Sequence, residues 1–212
     1  MRFDYEALVG ILVLEAHRAG AVIVGEDLGT VEPWVRDYLR ERGILGTSIL
    51  WFERDETGRP RQPEDYRRLC LASVTTHDLP PTAGYLSGEH MDVRERLGLF
   101  TRPVEVERAE DEADREGMLE ALRERGLING AQDVPRVVEA LHRFVSWSPA
   151  VLVGVSVSDL VGDRRTINQP GTDEEYPNWR VPLAGPDRRP LLLEDLMADP
   201  GARRLTAAVH RG

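Results

Sequence analysis

Four short apolar runs, at residues 21–24, 48–52, 69–74 and 151–157, limit most strongly what this chain can fold into. Each is aliphatic or β-branched, and none alternates cleanly between apolar and polar residues. A strand with one wet face alternates. A run that is apolar throughout needs cover on both sides, as strands of a parallel sheet have. Helical patterns fall between the runs. Asp4 can cap a helix to about Arg18, with Ala7, Leu8, Ile11, Leu12 and Leu14 on its apolar side and Gly20 as its stop. A second helix is expected from Thr30 to Arg42, with Pro33 near its first turn and Gly43 past its end. Strands alternating with helices argue an α/β fold.

From about Leu86 to Asn129 the chain is dense in Glu and Arg, with Met118, Leu119 and Leu122 marking an amphipathic helix. That stretch is too long for a simple strand-to-helix connection. It reads as a helical insertion of about 86–132 lying over the sheet. Further helices are expected at 134–144, 192–197 and 202–210, with no internal repeat. The 212 residues suit one domain or a large piece of one. A complete (β/α)8 barrel needs eight strands and typically about 250 residues. Four strand signals leave two possibilities, an open α/β sheet or part of a barrel. The second would expose strand edges through which copies could associate.

Composition narrows the function. The formal net charge is −10, and all 27 basic residues are scattered arginines, so no basic stripe for nucleic acid is evident. No run approaches the roughly 18 apolar residues of a membrane span. The first residues lack the apolar stretch of a secretory signal. The single cysteine, Cys70, cannot form an internal disulfide, which fits a reducing cytoplasm. There is no Cys/His cluster for zinc, no glycine spacing of a dinucleotide or phosphate loop, and no Gly-x-Ser-x-Gly elbow, so no metal or cofactor is expected.

The polar residues that follow the apolar runs carry the chemistry. Gly25-Glu26-Asp27-Leu28-Gly29 comes directly after the first run. Parallel sheets place reactive groups at the C-terminal ends of their strands, so Glu26 is a candidate general acid. The plainer alternative is an acidic loop capping the next helix. Asp27 reads as a structural partner or cap, and stays a candidate sugar contact. Thr75-Thr76-His77-Asp78 follows the third run in the same way. His77 and Asp78 can bind sugar hydroxyls or steady a developing positive charge, while Asp78 could equally cap a helix. Trp51 and Phe52 end the second run, where aromatics stack on sugar rings or pack in the core. Asp159, after the fourth run, faces either the cleft or the interior. Arg2-Phe3-Asp4 has the Arg-x-Asp form that can place a nucleophile, but Asp4 reads as a helix cap. Asn168-Gln169-Pro170-Gly171-Thr172 and Tyr176-Pro177-Asn178-Trp179-Arg180 make a polar loop suited to polyols, or a packed loop of no chemical role.

Three of these segments in order, Val24-Gly25-Glu26-Asp27-Leu28-Gly29, Thr76-His77-Asp78, and Asn168-Gln169-Pro170-Gly171-Thr172 with Asn178-Trp179-Arg180, resemble the 4-α-glucanotransferase (amylomaltase) family of glycoside hydrolases. The resemblance implies that the chain is the C-terminal half of a (β/α)8 barrel. It implies Glu26 as general acid/base, Asp78 as transition-state stabiliser, and His77 and Asn168 as sugar contacts; the residues themselves leave Trp51 and Asp27 as further candidates. The family's nucleophile is an aspartate on an earlier strand, which the resemblance places outside these residues. The implied reaction moves α-1,4-glucan segments between maltodextrin donors and maltodextrin or glucose acceptors with retention of configuration, without a cofactor. Alternatives are a non-catalytic glucan-binding or scaffold piece and a hydrolase of the same superfamily. Glu26 and Asp78 are then expected on neighbouring parallel-strand tips, facing one sugar-sized hollow.

Overall fold

The computed structural model describes residues 3–130 and 133–210; Arg2 of the Arg-x-Asp segment lies outside them. Helix α1 spans Tyr5–Ala19. Asp4 caps it, accepting a hydrogen bond from the Ala7 amide at 3.0 Å, and Gly20 ends it in the left-handed conformation at φ 62°. Helix α2 spans Pro33–Glu41 and begins three residues later than the sequence predicts. The reason is Pro33. A proline ring forces the residue before it to be extended, and Glu32 has ψ 133°, so the helix starts at the proline.

Three parallel strands form the sheet: β1 (Gly46–Ile49), β2 (Cys70–Ser73) and β3 (Leu152–Gly154), in the order β1-β2-β3. Gly46 pairs with Cys70, and Leu71 with Leu152. The run at 21–24, expected as a full strand, contributes one parallel bridge, Val24 to Leu45. Gly25 N donates to Leu45 O at 2.7 Å and Leu45 N to Ile23 O at 3.0 Å, which lays this segment beside β1. The other runs also form shorter strands than predicted. Leu50–Phe52 winds into a 3-10 turn, and Val157 opens helix α7 (Val157–Val161). A short apolar run suits a buried turn or helix as well as a strand.

Between β2 and β3 lie α3 (Thr82–Ser87), α4 (Glu89–Arg96), α5 (Val104–Glu124) and α6 (Val134–Ser146). Helices α8 (Leu193–Ala198) and α9 (Pro200–Val209) follow α7. The core joins the strands to α5 and α6 through Cys70, Ala72, Val74, Met118, Leu122, Leu141 and Phe144. Helix α1 buries none of its residues, and Leu8, Ile11, Leu12 and Leu14 are exposed.

This order corrects one expectation. The segment that leads to Glu26 pairs with β1, and β2 leads to Asp78. All the pairings are parallel, so both acids follow C-terminal ends on the same side of the sheet. The two tips are not neighbours, because β1, which leads to Trp51 and Phe52, runs between them.

Candidate active site

Glu26 is exposed, and its Oε1 accepts a hydrogen bond from the Leu28 amide at 3.2 Å, folding the side chain onto its own loop. Asp27 beside it is buried, with 3 % of its surface exposed. Its Oδ1 accepts from Thr47 N at 2.8 Å and Thr47 Oγ1 at 3.0 Å. Arg67 grips it through Nη1 at 2.5 Å and Nη2 at 3.2 Å, and Arg36 Nε stands 3.4 Å away. Burial by itself would raise the Asp27 pKa. The Arg67 guanidinium and the Thr47 donors outweigh it and hold the carboxyl below its usual range. Asp27 thus stitches the Glu26 loop to β1, an arrangement that fits its reading as a structural partner.

Asp78 is exposed at the end of the loop after β2. Asn168 Nδ2 donates to its Oδ1 at 2.6 Å, and His77 Nε2 stands 3.5 Å from its Oδ2. The His77 ring leans on Trp179, with centroids 5.2 Å apart. Trp179 has φ 60°, a strained conformation for a non-glycine residue, and its amide donates to Ile167 O at 3.0 Å. Asn178 Oδ1 accepts from Gln169 N at 2.7 Å, and Asn178 Nδ2 donates to Thr172 Oγ1 at 2.9 Å. The two halves of the polar loop are therefore bonded to each other, and the loop presents Asn168 to Asp78.

A cleft of about 580 Å³ opens beside Asp78, walled by Phe52, Tyr85, Asp111, Gln169 and Pro170 among others. Trp51 lines it too, but one face of the indole is stacked on Tyr85 at 4.2 Å, and Tyr85 in turn stacks on His90 at 5.0 Å. His90 Nε2 lies 2.7 Å from Asp111 Oδ1. Phe52, 55 % exposed, is the freer aromatic. It also lines a hollow of about 500 Å³ bordered by Asp27, Leu28 and Gly29. Phe52 thus belongs to both the Glu26 side and the Asp78 side of the sheet's rim.

Asp159 does not face the cleft; it is buried against Thr82 and His142. Among the described residues no group of three or more His, Cys, Asp or Glu could hold a metal ion. Burial pushes the Cys70 thiol's pKa up. Among the described residues no helix is long and apolar enough to cross a membrane. Tyr85 and His90 were not singled out in the sequence as site residues, and Trp179 was named only as part of the polar loop suited to polyols. Trp179 sits within a recognisable motif, but its contact with His77 depends on a turn that only the folded loop displays.

Comparison with known proteins bears on these segments together. The family model described as 4-alpha-glucanotransferase matches residues 1–187. The chain is 58 % identical over 216 residues to the 4-alpha-glucanotransferase of Mycobacterium tuberculosis, covering 99 % of this chain and 30 % of that protein. The crystal structure of amylomaltase from Corynebacterium glutamicum superposes with a TM-score of 0.90 at 46 % identity, covering all of this chain and 32 % of that one. The amylomaltase of Streptococcus agalactiae, solved in complex with acarbose, shares the fold at a TM-score of 0.58 and 18 % identity, over 88 % of this chain and 30 % of that one. The chain spans about a third of the length of the relatives it matches. Its motif loops, its parallel sheet and a family model that matches residues 1–187 agree: the chain belongs to the 4-α-glucanotransferase family.

Proposed function

We propose that these residues are part of an enzyme that transfers α-1,4-glucan segments between maltodextrins by a retaining double displacement. In this reading the sheet is the C-terminal half of a (β/α)8 barrel, and α4 and α5 lie in an insertion over its rim. The observation that carries it is the junction of the motif loops. Asn168 holds Asp78 at 2.6 Å at the mouth of a cleft large enough for sugar rings. Glu26 stands on the same side of the sheet.

Glu26 protonates the glycosidic oxygen as the bond to the leaving chain breaks. A carboxylate nucleophile takes the sugar as an ester. Glu26 then removes the proton from an acceptor hydroxyl as that oxygen displaces the carboxylate. Asp78 faces the positive charge that develops on the sugar ring, and Asn168 and His77 fix its orientation. Asp78 is poorly placed to be the nucleophile. β1 runs between its strand tip and the Glu26 segment, whereas a retaining pair must stand close together across one bond. Asp27 is committed to Arg67. The family resemblance implies a nucleophile outside residues 1–212, so these residues alone are expected to be inactive. Trp51 supports the cleft, and Phe52 offers the ring for stacking. No cofactor is needed, and the cytoplasm is the expected compartment. The exposed apolar side of α1 is surface that the rest of the barrel covers.

The test is disproportionation of maltotriose by the protein of full family length. Longer maltodextrins and glucose should appear, with the new bonds in the α configuration. Glu26→Gln should lower the rate by about 10²–10⁴-fold. Release of reducing sugar without longer products would favour a hydrolase instead, and new β bonds would overturn the retaining mechanism.

A further inference from the structure

We propose that Asp159 is a positioning residue for Asp78, setting from beneath the cleft the place of both partners in the Asp78–Asn168 hydrogen bond. The inference rests on the functional reading above. The Asp159 side chain is fully buried, with 0 % exposed. Its Oδ1 accepts from Thr82 N and its Oδ2 from Thr82 Oγ1, both at 2.7 Å. Helix α3 has no side-chain cap of its own, because Pro81 precedes it. Asp159 supplies that cap from a residue 77 positions away. His142 closes the other side of the carboxylate. Its Nδ1 hydrogen-bonds Val138 O at 2.9 Å, a carbonyl that can only accept, and its Nε2 lies 3.3 Å from Asp159 Oδ2. A second fastening adjoins the first. A Cβ on Gly84 would come within 2.2 Å of Arg164 O, so α3 lies backbone against backbone on the segment after α7.

Two of the motif loops meet at this junction. Thr82 follows Asp78 by a short turn, closed where Thr75 Oγ1 donates to Pro80 O at 2.9 Å. On the other side, Asp159 lies in α7, and the chain runs on past Arg164 to Asn168. Asp78 and Asn168 hold each other, but neither is buried, so where the bonded pair stands depends on the two loops that carry it. A shift of the junction moves both loops, and in a site built to match a transition state a misplacement of about 1 Å can cost about 100-fold in rate.

The experiment uses the protein of full family length with Thr82→Val and Asp159→Asn. Valine keeps the shape of Thr82 and removes one donor to the carboxylate. Asparagine keeps an oxygen for Thr82 N. In folded Thr82→Val, kcat for maltodextrin transfer is expected to fall about tenfold, with KM changed by less than about twofold. Affinity for a cationic aza-sugar, which carries the charge of the transition state, should fall in parallel with kcat. Asp159→Asn should keep more activity than Asp159→Ala. Thermal melts of each variant accompany the kinetics. If Asp159→Asn unfolds at the assay temperature, Thr82→Val decides alone. Wild-type kcat in a folded Thr82→Val overturns the inference, as does a loss confined to KM or matching only the unfolded fraction. A wild-type protein that transfers no glucan overturns the functional reading first, and the inference with it.

Discussion

Asp27 and Arg67 form a two-pronged ion pair between the Glu26 loop and the approach to β2, with Nη1 to Oδ2 at 2.5 Å and Nη2 to Oδ1 at 3.2 Å. The carboxylate is buried and the guanidinium side chain is 39 % exposed. Removing one member of a buried pair costs about 3–5 kcal/mol, because the other is left without a partner. Arg67 can reach water, so Asp27→Ala should destabilise the fold by about 3 kcal/mol, at the low end of that range. Urea unfolding of the two proteins measures it. A loss under about 1 kcal/mol would mean that solvent replaces Asp27 at the guanidinium.

The same pair sets an acid response. Asp27 binds its proton less readily folded than unfolded, since its pKa is held below the ordinary 3.8. Its contribution to stability is therefore present above that value and lost as the pH falls through the lower, folded one. Stability curves between about pH 5 and pH 2 should fall less steeply in Asp27→Asn than in the wild type. Equal slopes would show that other carboxylates carry the acid response.

Asn168 donates to a carboxylate that the functional reading assigns to the transition state. A hydrogen bond to a charged group is worth about 1.5–3 kcal/mol, so Asn168→Ala should cost about 10- to 100-fold in kcat/KM of the full-length enzyme. Trp179→Ala frees His77 on its ring face but leaves the Asn168 bond in place. It should cost less, because only the ring contact is lost; alanine keeps a Cβ and with it the strain of φ 60°. Steady-state kinetics on both variants ranks them. The reverse order would move the centre of the site from Asn168 to His77.

Much of this arrangement was legible where the cause is local. Asp4 and Gly20 bracket α1 because a cap and a left-handed stop need only their own turn. Glu26, Asp78 and Asn168 stand in motifs that announce themselves by order. What could not be read depends on partners far along the chain. The position of β1 between the two acids is a matter of sheet order, which no single run encodes. Leu50–Phe52 and Val157 are as apolar as a strand, yet they turn or coil. Asp159 could be placed at a strand end but not turned inward, since Thr82 and His142 come from other helices.

If α1 is covered by the rest of a barrel, the 212 residues alone should associate. Leu8, Ile11, Leu12 and Leu14 are 46–60 % exposed on a helix that buries nothing, and such patches draw partners. Sedimentation of the isolated chain should show dimers or larger species. Leu8→Glu with Ile11→Glu should return it toward a monomer. A monomeric wild-type chain would count against the covered-face reading.

Two glycines separate crowding from backbone freedom. A Cβ on Gly46 would sit 2.7 Å from Arg67 Nη1 and 3.0 Å from Asp27 Oδ2, so Gly46→Ala crowds both partners and is expected to displace the guanidinium from the carboxylate. The cost should approach that of Asp27→Ala, and the two substitutions combined should cost less than their sum, because both break the same pair. Gly10 lies inside α1 with nothing within 4 Å of an added Cβ. Alanine there relieves the entropy cost of a helical glycine, and Gly10→Ala should stabilise by about 0.5–1 kcal/mol. Thermal melts of the three single variants and the Asp27/Gly46 double variant decide it. Full additivity would show that Gly46 is needed for something other than the ion pair beside it.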